Sequence, residues 1–78
     1  MTLEVNGAVG GSLFLLLSWY DVAKNYPEQA TVAAVGARVE RIEGPMLDHL
    51  ALYRVRVLQR DFRLIIGPLD TIASIDLY

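Results

Sequence analysis

Hydrophobic and polar residues alternate most regularly between residues 50 and 70, in the stretch LALYRVRVLQRDFRLIIGPLD. An alternation with a period of two places successive side chains on opposite faces of a β-strand. We therefore predict strands over 52–59 and 62–67, paired as a hairpin that turns at Arg60–Asp61. The apolar positions of the two strands then share one buried face: Tyr53, Val55, Val57, Leu64 and Ile66. The arginines share the opposite, exposed face: Arg54, Arg56 and Arg63.

The two ends of the chain show weaker strand patterns. TLEVN at 2–6 indicates a short strand that ends before a glycine-rich segment. TIASIDLY at 71–78 alternates again and predicts a last strand, with Ala73, Ile75 and Leu77 directed inward.

Two segments admit both a helix and a strand. Ser12 is a good helix N-cap residue, and Leu16, Tyr20 and Ala23 keep helical spacing, so we predict a helix over 12–25. The alternative is a strand over 13–18, because that run is apolar on every side. Residues 28–44 also keep helical spacing at valines, but Gly36 would then lie inside the helix, and we favour a strand over 35–43.

Together these elements predict an α+β fold in which one helix packs on a three- to four-stranded antiparallel sheet. With 78 residues the chain is expected to form a single small domain spanning 1–78.

Four segments together resemble the helix and two long strands of dodecins, namely SWYDVAKN (18–25), VERIEG (39–44), YRVRV (53–57) and FRL (62–64). Dodecins are small β-α-β-β proteins that assemble into hollow, flavin-binding shells. The strand around Val39 has no tryptophan, on which many members stack flavin, and Arg54 stands near the position of an expected flavin-contacting glutamine. Because these flavin contacts are missing, we do not carry flavin binding over and expect no cofactor. What the resemblance implies is that a short chain of this kind can be stabilised by assembly.

The composition is unusually apolar for so short a chain. Ala, Val, Ile, Leu, Met, Phe, Trp and Gly make up 44 of 78 residues, about 56%, against roughly 45–50% in ordinary soluble domains. A small domain has a high ratio of surface to volume and cannot bury all of this material by itself. The surplus is expected to face a second copy, another protein or a membrane.

A membrane contact would involve residues 5–20, which carry no charge. Sixteen residues make about 24 Å of helix, which is short of the roughly 20 residues that span a bilayer. The only charge before this segment is Glu4, so the basic region of a signal peptide is missing. A cytoplasmic protein is therefore expected, and a membrane-anchored accessory subunit is the third functional alternative.

The sequence offers little chemistry for catalysis. There is no cysteine, and the single histidine, His49, stands beside Asp48 in a predicted turn without metal-ligand spacing around it. The glycine-rich NGAVGG at 6–11 lacks the GKS/T ending of a phosphate-binding loop. We therefore predict no catalytic residues, no metal site and no enzymatic activity.

Two groups of residues are candidates for binding a partner. Six of the seven basic residues lie between 38 and 63, and planar guanidinium groups suit carboxylates and phosphates. Acidic residues in the same segment, Glu40, Glu43, Asp48 and Asp61, leave open that the arginines only form cross-strand ion pairs with these carboxylates on a solvated face. The second group is aromatic and can equally belong to the core: Phe14, Trp19 and Tyr20.

These observations predict a non-enzymatic interaction or assembly subunit, either a homo-oligomer or a component of a larger complex. Its arginine-bearing sheet face would contact an acidic partner. The first alternative is a small nucleic-acid-associated or regulatory module that uses the same face. Nucleic acid is not favoured, because the net charge is −2 and no aromatic residues alternate with the arginines.

The apolar surplus predicts self-association. Multi-angle light scattering at micromolar concentration is expected to give a mass that is a multiple of the 8.7 kDa of one chain. A mass of one chain would contradict the homo-oligomer and would leave association with a different protein.

Overall fold

The structure, a computed structural model, describes residues 1–19, 31–42, 50–67 and 72–78. These residues form seven strands: β1 (Thr2–Asn6), β2 (Ser12–Trp19), β3 (Thr31–Val35), β4 (Ala37–Arg41), β5 (Leu50–Val57), β6 (Asp61–Gly67) and β7 (Ile72–Leu77). A three-stranded sheet has the order β1-β6-β3, and a four-stranded sheet has the order β4-β5-β2-β7. All neighbouring strands are antiparallel.

The predicted α+β fold is wrong, because the described residues contain strands and no helix. The error lies in the segment 12–19, where we favoured a helix. It forms β2, which is hydrogen-bonded to β5 on one side and to β7 on the other. An apolar run of this kind suits either element, and pairing along both edges decides in favour of the strand. The described residues also lack the helix of the β-α-β-β order that the resemblance to dodecins implied. Most of the segment that resembles this helix (18–25), like the other predicted helical residues after Trp19, lies outside the described ranges.

The strand interpretation of 35–43 is confirmed in its described part, and the helical alternative is wrong there. The segment is divided in two by Gly36, which has a φ of 86°. This left-handed conformation is readily adopted by glycine. It ends β3 at Val35 in the three-stranded sheet and starts β4 at Ala37 in the other sheet.

The predicted hairpin of 52–59 with 62–67 is also wrong, although both segments are strands. β5 and β6 lie in different sheets. Their connection is fixed to other turns: the N–H groups of Leu58 and Gln59 donate to the Gly36 carbonyl at 3.1 and 2.9 Å, and Gly7 N–H donates to the Arg60 carbonyl at 2.9 Å. The connection lacks the Asn-Gly or Asp-Gly sequence that favours a tight hairpin between two paired strands.

The apolar faces predicted for these two strands are nevertheless confirmed as core. The two sheets contribute their inner faces to one hydrophobic cluster. Ten described residues form its buried part: Leu15, Leu17, Trp19, Ala51, Tyr53, Val55, Val57, Phe62, Leu64 and Ile66. A strand buries every second residue when it is covered on one face, so the residues between them must point outward.

The last strand departs from its predicted alternation. The register between β2 and β7 shifts between Ser18 and Trp19, so that Ser18 lies opposite Ser74 and Trp19 opposite Ile72. Ala73 is the extra residue of this bulge, and it is exposed. Ile75 packs against the core as predicted, and Ile72 packs there in place of Ala73. Leu77 lies opposite the buried Leu15, on the predicted inner side, but is 37% exposed on this edge strand.

Neighbouring isoleucines of β6 provide a matched test of the core. Ile66 is 1% exposed, whereas Ile65 is 43% exposed. We expect Ile66→Ala to lower the free energy of unfolding by about 2–5 kcal/mol, because it removes apolar burial and leaves a cavity. Ile65→Ala should cost less than about 1 kcal/mol. Urea unfolding followed by tryptophan fluorescence measures both, and equal losses would contradict the assigned faces.

The left-handed glycines provide a second test. Gly36 and Gly10 have φ values of 86° and 85°, so alanine at either position is strained by about 1–2 kcal/mol. A Cβ at Gly36 would also lie 2.9 Å from the Gln59 Oε1 atom and 3.2 Å from the Phe62 Cβ atom, whereas nothing lies within 4 Å at Gly10. Gly36→Ala is therefore expected to be the more destabilising in urea unfolding, and the opposite order would contradict the packing of this turn.

Candidate interaction surface

The outer face of the four-stranded sheet carries most of the candidate arginines. On β5 the odd-numbered residues from Ala51 to Val57 are buried. The even-numbered positions therefore face outward, and they place Arg54 and Arg56 in solvent. β4 adds the exposed Arg38 beside them. We call this surface the arginine face, defined by Arg38, Arg54 and Arg56.

The register of the sheet fixes the neighbours of each arginine. Arg56 lies between Arg38 on β4 and Ser12 on β2. Two residues along β5, Arg54 lies between Glu40 and Phe14. The next row of the same face is apolar, because Leu52 lies opposite Leu16 and both are half-buried. The face thus runs from a positively charged end to an apolar middle.

Arg63 does not belong to this surface, and the prediction that it shares a face with Arg54 and Arg56 is wrong. It lies on β6, in the other sheet, where it faces Glu4 on β1 and Val35 on β3. The Arg63 Nε atom is 3.9 Å from the Glu4 Oε1 atom, with 62% and 81% of the two side chains exposed. So exposed a pair contributes little to stability. Arg63 is separated from Arg54 and Arg56 because β5 and β6 do not form the predicted hairpin and lie in different sheets.

The aromatic candidates separate in the same way. Trp19 is 4% exposed and belongs to the core, whereas Phe14 is 37% exposed on the outer face of β2. Tyr20 lies outside the described residues. Sequence reasoning did not select Tyr78, which is 68% exposed and exchanges two backbone hydrogen bonds with Phe14 of 3.0 and 2.8 Å. The pairing of β2 with β7 brings these two aromatic residues together.

Other polar groups of the described residues lie on both sheets. Within the described ranges, no three His, Cys, Asp or Glu side chains are grouped so that they could hold a metal ion. A shallow depression on the three-stranded sheet is lined by Asn6, Gln59, Asp61 and the Glu4–Arg63 pair, among others. Across β2 and β7, the Ser18 and Ser74 hydroxyls share a short hydrogen bond. His49 lies outside the described residues.

Comparison with protein-family models, curated proteins and solved structures found no match for this chain. Among the described residues, none form a helix with the length and apolar character needed to cross a bilayer.

Proposed function

We propose that this protein is a non-enzymatic interaction module that binds an acidic protein through its arginine face. The observation that carries the proposal is the position of three exposed arginines beside half-exposed apolar side chains on one face of a sheet. Within the described residues, none of these three arginines has a carboxylate oxygen within the 4.0 Å of an ion pair, whereas Arg63 has one. The guanidinium groups are therefore available to a partner.

The balance of charge distinguishes this face from the other side of the molecule. The outer face of the four-stranded sheet carries three arginines and two carboxylates, Glu40 on β4 and Asp76 on β7. The outer face of the three-stranded sheet carries Arg63 with Glu4 and Asp61. Complementary charge speeds association and selects partners, so an acidic surface would be steered to the four-stranded sheet.

Apolar neighbours give the arginine face a source of affinity. Phe14 is 37% exposed, and Leu16 and Leu52 beside it are half-buried. Protein interfaces commonly combine an aromatic or aliphatic centre with arginine and a polar rim. A partner that covered these three residues would bury apolar area and place its acidic side chains on the arginines.

The edge of β7 supports the self-association that the apolar composition predicts, which we include in the proposal. Tyr78 exchanges backbone hydrogen bonds with Phe14, so by the antiparallel alternation Ile75 and Leu77 direct their N–H and C=O groups away from β2. Leu77 is also 37% exposed. An edge of this kind can pair with another strand, which is the route by which copies of the chain would associate.

A matched pair of charge reversals tests the arginine face. We expect the double variant Arg54→Glu and Arg56→Glu to bind a glutamate-rich peptide at least about tenfold more weakly than the wild type, which corresponds to about 1.4 kcal/mol. Arg63→Glu, on the opposite sheet, should change the dissociation constant less than about twofold. Fluorescence anisotropy with a labelled peptide at fixed ionic strength measures both.

Equal losses in the double variant and in Arg63→Glu would contradict the assignment to one face. Unchanged binding in the double variant would show that these arginines have no role. A double-stranded DNA oligonucleotide serves as the second ligand, and tighter binding to DNA than to the peptide at the same salt concentration would favour the nucleic-acid alternative.

A further inference from the structure

Arg38 and Arg56 are directly opposite each other on neighbouring strands, and both are exposed. Leu58 N–H donates to the Gly36 carbonyl and Ile42 N–H donates to the Leu52 carbonyl. The same alternation makes Arg38 and Arg56 a hydrogen-bonded pair of the ladder, in which Cα atoms are about 5.5 Å apart. Both side chains leave the same face of the sheet, so the two guanidinium groups can converge on one small ligand.

The placement of Arg38 opposite Arg56 does not stabilise the fold. Like charges directly opposite each other in a sheet are destabilising. Glu40 lies opposite Arg54 rather than opposite either member of the pair, so one carboxylate is set against three arginines on these two strands. An external anion would remove the repulsion between Arg38 and Arg56.

Ser12 adds a hydroxyl group beside the pair. It is exposed and lies opposite Arg56 on β2. Val57 N–H donates to the Gly11 carbonyl, which makes Ser12 and Arg56 a pair between ladder bonds, with Cα atoms about 4.5 Å apart. Arg38, Arg56 and Ser12 therefore form one row of donors across three strands.

We propose that this row binds a phosphate monoester carried by the acidic partner, an inference that rests on the function proposed above. Two guanidinium groups carry two positive charges, and a phosphate monoester carries about −1.5 to −2 at neutral pH. A carboxylate would leave one of the two charges unmatched. Guanidinium groups bind phosphate oxygens through paired N–H donors, and the Ser12 hydroxyl can donate to a third oxygen.

Thermal unfolding tests the site with inorganic phosphate as the probe. At about pH 7.5, melting temperatures are compared in sodium phosphate and in sodium chloride of equal ionic strength. Phosphate also stabilises proteins generally by exclusion from their surface, so the measure is the difference between variants. Wild type and Arg63→Gln are expected to gain more from phosphate than Arg38→Gln does. In chloride, Arg38→Gln should melt no lower than the wild type, since it removes a like charge.

A phosphate-dependent gain of the same size in Arg38→Gln and in the wild type would overturn the site. A lower melting temperature of Arg38→Gln in chloride would also overturn it, because the arginine would then be stabilising the unliganded fold.

Two peptides separate this inference from the proposed function. One is a glutamate-rich peptide with a single phosphoserine, and the other has unmodified serine at that position. Wild type is expected to bind the phosphorylated peptide at least about tenfold more tightly. Because Arg38 also belongs to the arginine face, Arg38→Gln should weaken binding of both peptides, but that of the phosphorylated peptide more, so that the tenfold ratio is lost. Equal affinity of wild type for both peptides would overturn the phosphate site and leave the acidic-partner function standing. Failure to bind either peptide would overturn both.

Discussion

The contact between the apolar inner faces of the two sheets is the constraint on which the rest of this structure depends. Every buried residue of the described core belongs to a strand, and no buried polar or charged residue lies among them. Because strands alternate, burial of Val55 and Val57 obliges Arg54 and Arg56 to face outward. Burial of Leu64 in the other sheet does the same for Arg63. The exposed surface is thus a consequence of the core.

The turns decide which strands become neighbours. At Gly36 the chain passes from one sheet to the other through a single residue, and the Gly36 carbonyl accepts two N–H groups from the turn that follows β5. That turn also sends β6 into the opposite sheet. A one-residue change in such a connection would exchange inner and outer faces, so these few backbone hydrogen bonds fix the arrangement of charges on both surfaces.

The functional proposals follow from two features of the four-stranded sheet: a pair of arginines of like charge, and exposed aromatic side chains. Arg63 acquires Glu4 as a neighbour, while Arg38 and Arg56 are placed opposite each other. On the same face the aromatic side chains of Phe14 and Tyr78 are exposed, whereas Trp19 is buried in the core. Like charges opposite each other destabilise a sheet, and the exposed part of an aromatic ring gains no burial energy. Both are explained if a partner covers the four-stranded sheet.

Sequence alone determined the strand character of most described segments. It also determined that Val55 and Leu64 are buried and that Arg54, Arg56 and Arg63 are exposed, because a period of two is a local property of a half-buried strand. It also selected Phe14, Arg54 and Arg56 as candidates for binding a partner, and all three lie on the outer face of the four-stranded sheet. It did not determine whether Ser12–Trp19 is helix or strand, since an apolar run suits both and only pairing with β5 and β7 decides. Nor did it reveal that β5 and β6 part into different sheets, or that Arg38 meets Arg56 and Phe14 meets Tyr78. Those contacts join residues distant in the chain, and only the tertiary structure sets which strands lie side by side.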